Sequence, residues 1–159
     1  MRLFVLSRHA ESVLNAEDRV NGDPAVPAPL TDHGRDEAAR LGLELRGLPL
    51  DACLHTRFGR TLETAQIALE GREIPLVEEE LLDDVRVGEL EGWTVGEYRA
   101  WKREHTRADR FPGGESLDEA ARRYAKAYRR PPRAAVRMCA RRLPRDPDPL
   151  RAQHRRRLR

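Results

Sequence analysis

An α/β fold, with a mainly parallel sheet flanked by helices, is the architecture this 159-residue sequence predicts. Two observations carry it. Short apolar runs at 2–7, 51–55 and 74–82 alternate with stretches of helical periodicity at 32–46 and 58–69. Alternation of that kind joins parallel strands through helical crossovers, and near-continuous apolar strands are those buried on both faces. The length fits one domain with a core of its own. Hydrophobic residues make up 39% and aromatics 5%, which predicts a core of Leu, Val and Ala.

The elements follow in order. Residues 2–7 predict a buried first strand. Thr31 is placed as the N-cap of a helix over 32–46, with Ala38, Leu41 and Leu45 on one face. Asp51–His55 predicts a second strand, and 58–69 a helix with the stripe Leu62, Ala65 and Leu69. Residues 74–82 predict a third strand running into a loop. Helices are predicted at 95–106 and 116–130, the latter opened by Ser116 with Glu119 as a capping box.

That pattern stops at Arg130, which divides the chain into a domain over 1–130 and a tail over 131–159. The tail holds ten arginines, five prolines and two aspartates, a balance of +8, against −5 for residues 1–130. Its prolines interrupt helix and strand alike, so it is read as an unpacked segment. No aromatic residue interleaves with its arginines to stack bases, which argues against nucleic acid as a partner. No run reaches the roughly 18 apolar residues of a membrane helix, and the four-residue apolar run Leu3–Leu6 near the N-terminus is too short for a signal peptide. Cys53 and Cys139 lie far apart without metal-ligand spacing, which fits a reduced, cytoplasmic protein with no membrane partner.

Taken singly, the polar residues are unremarkable. His9 at a strand end reads as a hydrogen-bonded histidine. Arg57 and Arg60 are two of 28 arginines, and Asp83 and Asp84 are adjacent acids of the kind found in solvated loops. His33 falls in the first turn of a helix, and His55, His105 and His154 have no motif around them. Together, however, five segments occur in a telling order: RHAESVLN (8–15), LTDHGRDEA (30–38), TRFGRTLETA (56–65), LLDDVRVGELEG (81–92) and FPGGES (111–116).

This order and spacing resemble the histidine phosphatase superfamily, the phosphoglycerate mutase-like proteins, over about residues 2–130. The resemblance implies a three-layer α/β sandwich whose C-terminal part is incomplete here. It implies that His9 is a nucleophile that becomes phosphorylated, since a neutral imidazole nitrogen can attack phosphorus when its other nitrogen is held as a donor. Arg8 and Arg60 would clamp the phosphoryl oxygens, a task suited to the guanidinium fork. Asp84, four positions before Gly88, would protonate the leaving oxygen. Ser12, Asn15 and Glu115 would lie on the substrate side. Ala10 stands where the family has glycine, and Thr56 and Thr61 replace a serine and an alanine of the second-arginine motif.

The implied reaction is phosphomonoester hydrolysis of a small phosphorylated metabolite, with neither metal nor cofactor. A mutase is disfavoured, because DVRVGELEGWTVGEY lacks the segment typical of mutases. The resemblance also implies a second histidine, in a His-Gly pair ending a later strand. No such pair occurs, and His154 is followed by Arg155 in a run of arginines. The expected activity is therefore impaired, or replaced by silent phosphate binding. Read one base out of frame, codons for Val136 to Arg142 permit Phe-Val-Cys-Val-His-Gly, an apolar strand ending in the absent pair.

Overall fold

A computed structural model describes residues 4–129. Its centre is a crossover: β1 (Cys53–His55) leads through α3 (Gly59–Ala68) into β2 (Leu76–Glu78). The two strands pair in parallel, in the register Cys53 with Leu76, Leu54 with Val77 and His55 with Glu78. Around them lie α1 (Val13–Ala16), α2 (Asp32–Leu45), α4 (Val95–Glu104) and α5 (Leu117–Arg129), with 3-10 turns at Glu80–Leu82 and Gly88–Leu90. The architecture is α/β, a parallel sheet flanked by helices, as the alternation of patterns predicts.

The helix starts have local causes. Thr31 caps α2 by accepting from the Gly34 amide at 2.9 Å. Thr94 and Glu97 form a reciprocal box at α4, and Ser116 and Glu119 form one at α5. Helix α1 is not predicted by any apolar periodicity. It is a single turn, started where the Ser12 amide and hydroxyl both donate to Asn15 Oδ1.

The predicted first strand is a correction. Residues 4–7 form no ladder, and Phe4, Val5 and Leu6 are exposed, Leu6 to 73%. An extended apolar run becomes a strand only when a neighbour takes its backbone donors and acceptors. Among the described residues β1 and β2 pair only with each other. Phe4 instead meets Tyr128 of α5 edge to face at 5.8 Å. The tail over 131–159, with Cys139 and His154, lies outside the described residues, as do residues 1–3.

Two apolar clusters bracket the segment between them. Ala10, Leu30 and Ala38 pack with Ile67, while Val87, Leu90 and Phe111 pack with Val85, Tyr98 and Trp101. The expected core of Leu, Val and Ala is thus incomplete. Phe58 and Phe111 are the largest fully buried side chains, and each aromatic ring removes more apolar area from water than any aliphatic side chain. Gly88, at φ +57°, lets the 84–92 segment press on the 111–116 segment, where a Cβ would stand 2.1 Å from the Pro112 carbonyl oxygen. Among the described residues no helix is long and apolar enough to cross a membrane.

Candidate active site

Helix α3 presents a polar edge beside its apolar one. Arg60, in its first turn, is 3% exposed, and Thr64 one turn later is also buried. Thr64 Oγ1 donates to the Arg60 carbonyl at 2.6 Å and accepts from the Ala10 amide at 3.1 Å. That second bond ties the chain next to His9 to the helix that carries Arg60. Ala10 itself is buried against Leu30 and Ala38, so the methyl in the position of the family's glycine is accommodated by packing.

His9 is held through both ring nitrogens. Nδ1 lies 2.7 Å from the Ala10 carbonyl oxygen. That oxygen can only accept, so Nδ1 carries the hydrogen and Nε2 carries the lone pair. Arg60 Nε, itself a donor, points at Nε2 over 3.1 Å, which requires the same tautomer. Burial pushes the imidazole pKa below its ordinary value of 6.5, and the nearby Arg60 and Arg8 charges lower it further, against the opposing Ala10 carbonyl and Asp84. The ring is therefore neutral near pH 7.

The rest of the Arg60 guanidinium is committed in a fixed fan. Nη1 donates to Asn21 Oδ1, while Nη2 donates to the Asn21 carbonyl at 3.3 Å and to Asp84 Oδ2 at 2.5 Å. The group also lies over the Phe58 ring, 4.1 Å from its centroid. Asn21 is in turn held by Glu91, whose Oε1 accepts from Asn21 Nδ2 at 2.8 Å and whose Oε2 accepts from the Gly22 amide at 2.7 Å. One guanidinium thus spans from the imidazole nitrogen to the Asp84 carboxylate.

The adjacent acids part company here. Asp84 is 55% exposed at its side chain and faces Arg60. Asp83, with a side chain 4% exposed, turns the other way. It accepts from the Arg57 amide at 2.9 Å and from Arg57 Nε at 2.6 Å, fastening its loop to the start of α3.

The remaining sequence-predicted residues divide. Arg8 is exposed and borders, with His9, Asn15 and Thr64, a cleft of about 580 Å³ whose far wall includes Glu37 and Arg40 of α2. Arg60 and Asp84 stand outside that lining, so His9 is the junction between the cleft and the guanidinium. Ser12 is buried, and its amide and hydroxyl both serve Asn15, capping α1. The Glu115 carboxylate is buried among the Arg86 amide, the Arg86 side chain and Arg123. An acid beside two arginines is satisfied by them before any ligand arrives.

Asn21, Thr64 and Glu91 join the site without a mark of their own in the sequence. Thr64 and Glu91 sit inside segments whose order suggested the site, so position in the segment was the available signal. Asn21 lies in the loop NGDPAVPAP (21–29), where nothing local marks it. Among the described residues no group of three or more His, Cys, Asp or Glu is arranged to hold a metal ion.

A 2,3-bisphosphoglycerate-dependent phosphoglycerate mutase 2 from Gloeobacter violaceus is 33% identical over 140 residues, covering 80% of this chain and 62% of the mutase. The chain thus spans under two thirds of that relative's length. YhfR from Bacillus stearothermophilus superposes with a TM-score of 0.64 at 32% identity, covering 76% of this chain and 62% of that one. The alpha-ribazole phosphatase from Shigella flexneri superposes at 0.66 with 24% identity over the same shares, a likeness of fold. The family model of the histidine phosphatase superfamily, branch 1, matches residues 4–136, which include His9, Arg60 and Asp84, and the chain belongs to that superfamily.

Proposed function

We propose that this protein is a phosphomonoester hydrolase that works through a phosphorylated His9 on a small phosphorylated metabolite in a reducing, cytoplasmic setting. The observation that supports it is the Arg60 Nε to His9 Nε2 contact at 3.1 Å. It sets a neutral nucleophile against a buried cation with the donors that a phosphoryl group needs. An incoming phosphoryl oxygen takes over the Arg60 donor and frees the Nε2 lone pair. Nε2 then attacks phosphorus and the bond to the leaving oxygen breaks; Asp84, protonated as the arriving phosphoryl group draws Arg60 away from it, gives that proton to the leaving oxygen. Water displaces the phosphoryl group from Nε2 to give orthophosphate, and the Asp84 carboxylate takes the proton that the water loses. Arg8, at the mouth of the cleft, adds positive charge for the approaching dianion.

The test is turnover of p-nitrophenyl phosphate without added metal, with trapping of phosphohistidine, in the parent and in His9→Ala. Loss of both signals in the variant supports the proposal, and full activity in His9→Ala refutes it. One observation favours a second reading, silent phosphate binding: among the described residues, the contacts of Arg60 include a single imidazole, His9. Phosphoryl transfer that lacks one stabilising donor typically slows by about 10² to 10³. Orthophosphate binding that depends on Arg60, in a folded protein without turnover, decides for that reading.

A further inference from the structure

Asp84 sits on an irregular segment, with a 3-10 turn before it at Glu80–Leu82 and another after it at Gly88–Leu90. A half-exposed carboxylate on such a loop keeps its aim only if the backbone beneath it is held. Regular secondary structure supplies no ladder there. Asp83 ties the loop to the start of α3, and the backbone around Asp84 itself is held by one side chain from α5.

Arg123 is 15% exposed at its side chain and turns both Nη groups to this loop. Nη1 donates to the carbonyl oxygens of Leu81 at 3.0 Å and Asp83 at 2.8 Å, and Nη2 to that of Asp84 at 3.2 Å. The same guanidinium is gripped by Glu115, with Nη2 to Oε1 at 2.6 Å and Nε to Oε2 at 3.4 Å. Glu115 completes the circuit by accepting from the Arg86 amide at 3.1 Å and from Arg86 Nη2 at 3.3 Å. The loop is thus fastened on both sides of Asp84, by carbonyls before it and an amide after it.

We infer that Arg123, oriented by Glu115, is the positioning residue for Asp84, fixing the backbone so that this carboxylate meets Arg60 at Nη2, beside the Nε that faces His9. The inference rests on the proposed role of Asp84 as proton donor to the leaving oxygen. No other common side chain reaches three carbonyls while paired to a carboxylate. Lysine has the charge but lacks the planar fork, so it satisfies one or two of these acceptors at most.

The test separates positioning from plain structural support. Arg123→Lys and Glu115→Gln are assayed with phenyl phosphate, a poor leaving group that needs a proton, and 2,4-dinitrophenyl phosphate, which does not. The expected result is a fall in kcat of about tenfold or more with phenyl phosphate, part of the 10²- to 10⁴-fold that acid catalysis supplies. The fall with the dinitrophenyl ester is far smaller, and KM holds for both. Adding Arg123→Lys to Asp84→Asn costs nothing further with phenyl phosphate, because the aimed group is already gone. Equal losses on both esters, or full additivity, overturn the inference. A second readout needs no turnover: hydrogen exchange at the amides of 84–87 quickens in Arg123→Lys while the amides of α3 stay protected. Unchanged exchange there overturns the inference even if the parent proves silent, a result that would count against the proposed hydrolase alone. Should either single variant fold poorly, Glu115→Gln with Arg123→Met removes both charges together, and the same exchange pattern is expected.

Discussion

Arg60 donates its Nε hydrogen to Nε2 of His9 across 3.1 Å, so the group that would bind a phosphoryl oxygen rests on the atom that would attack phosphorus. The resting site is self-complementary: the cation shields the lone pair, and the lone pair holds the cation in place. A protonated imidazole would break this contact, since both partners would then be cationic donors.

The His9 titration follows directly. Burial and the Arg60 charge favour the neutral ring, so its NMR midpoint lies below 6.5 in the folded protein. The His9 limb of activity, which depends on the free Nε2, rises with pH through that midpoint. Arg60→Met removes the opposing cation and moves the midpoint upward, while turnover falls by about 10² or more. A parent midpoint at or above 6.5 contradicts the burial argument.

The neighbouring acids give opposite phenotypes. Asp83→Asn breaks the ion pair between the buried Asp83 and the half-exposed Arg57 and weakens the bond to the Arg57 amide. A loss of about 1–3 kcal/mol in denaturant unfolding is expected, with kcat little changed in the folded fraction. Asp84→Asn leaves the melting temperature within a few degrees, because the side chain is 55% exposed. It cuts turnover of phenyl phosphate by about 10². If both substitutions act mainly on stability, Asp84 has no part in the chemistry.

What the sequence made legible follows from the range of the forces involved. Helix α5 and its box of Ser116 and Glu119 are local, three residues apart, and appear where the pattern puts them. So do Thr31 and α2. The segment over 2–7 has the right composition for a strand, yet a strand is a relation between two segments, and its partner is not encoded in its own residues. The site divides the same way. His9, Arg60 and Asp84 lie in segments whose order is distinctive, and the structure brings them to one guanidinium. Ser12 and Glu115 lie in the same segments, but nothing in a one-dimensional motif separates a group aimed at a ligand from one that caps a turn or pairs with Arg123. Asn21 touches Arg60 from 39 residues away, a contact that only the folded chain creates.

Glu115 makes stability depend on acid pH. Burial alone raises its carboxyl pKa, but Arg123 and the Arg86 amide outweigh that and hold it below the usual 4.5. A carboxyl depressed in the folded state contributes stability that is full above its unfolded value and is lost as pH falls through the folded one. Urea midpoints measured from pH 6 down to pH 3 therefore decline in the parent. The Glu115→Gln series starts about 1–3 kcal/mol lower and declines less. Parallel curves would mean that the pair with Arg123 is not formed in solution.

Two glycines at helix starts behave oppositely on substitution by alanine. Gly34 opens α2 against the chain beside His9, and a Cβ there would stand 2.0 Å from the Glu11 carbonyl oxygen, backbone that cannot swing aside. Gly34→Ala must shift the helix or the 10–12 segment, at an expected cost of about 1–3 kcal/mol. Because Thr64 ties Ala10 to the turn carrying Arg60, the shift also disturbs the imidazole contact and lowers turnover. Gly59 opens α3 with no atom within 4 Å of a Cβ. Gly59→Ala reduces the freedom of the unfolded chain and stabilises by about 0.4–1 kcal/mol, with turnover unchanged. Thermal unfolding of the two variants beside the parent decides the matter: a tolerated Gly34→Ala would show that α2 does not pack this closely on the segment that carries the histidine.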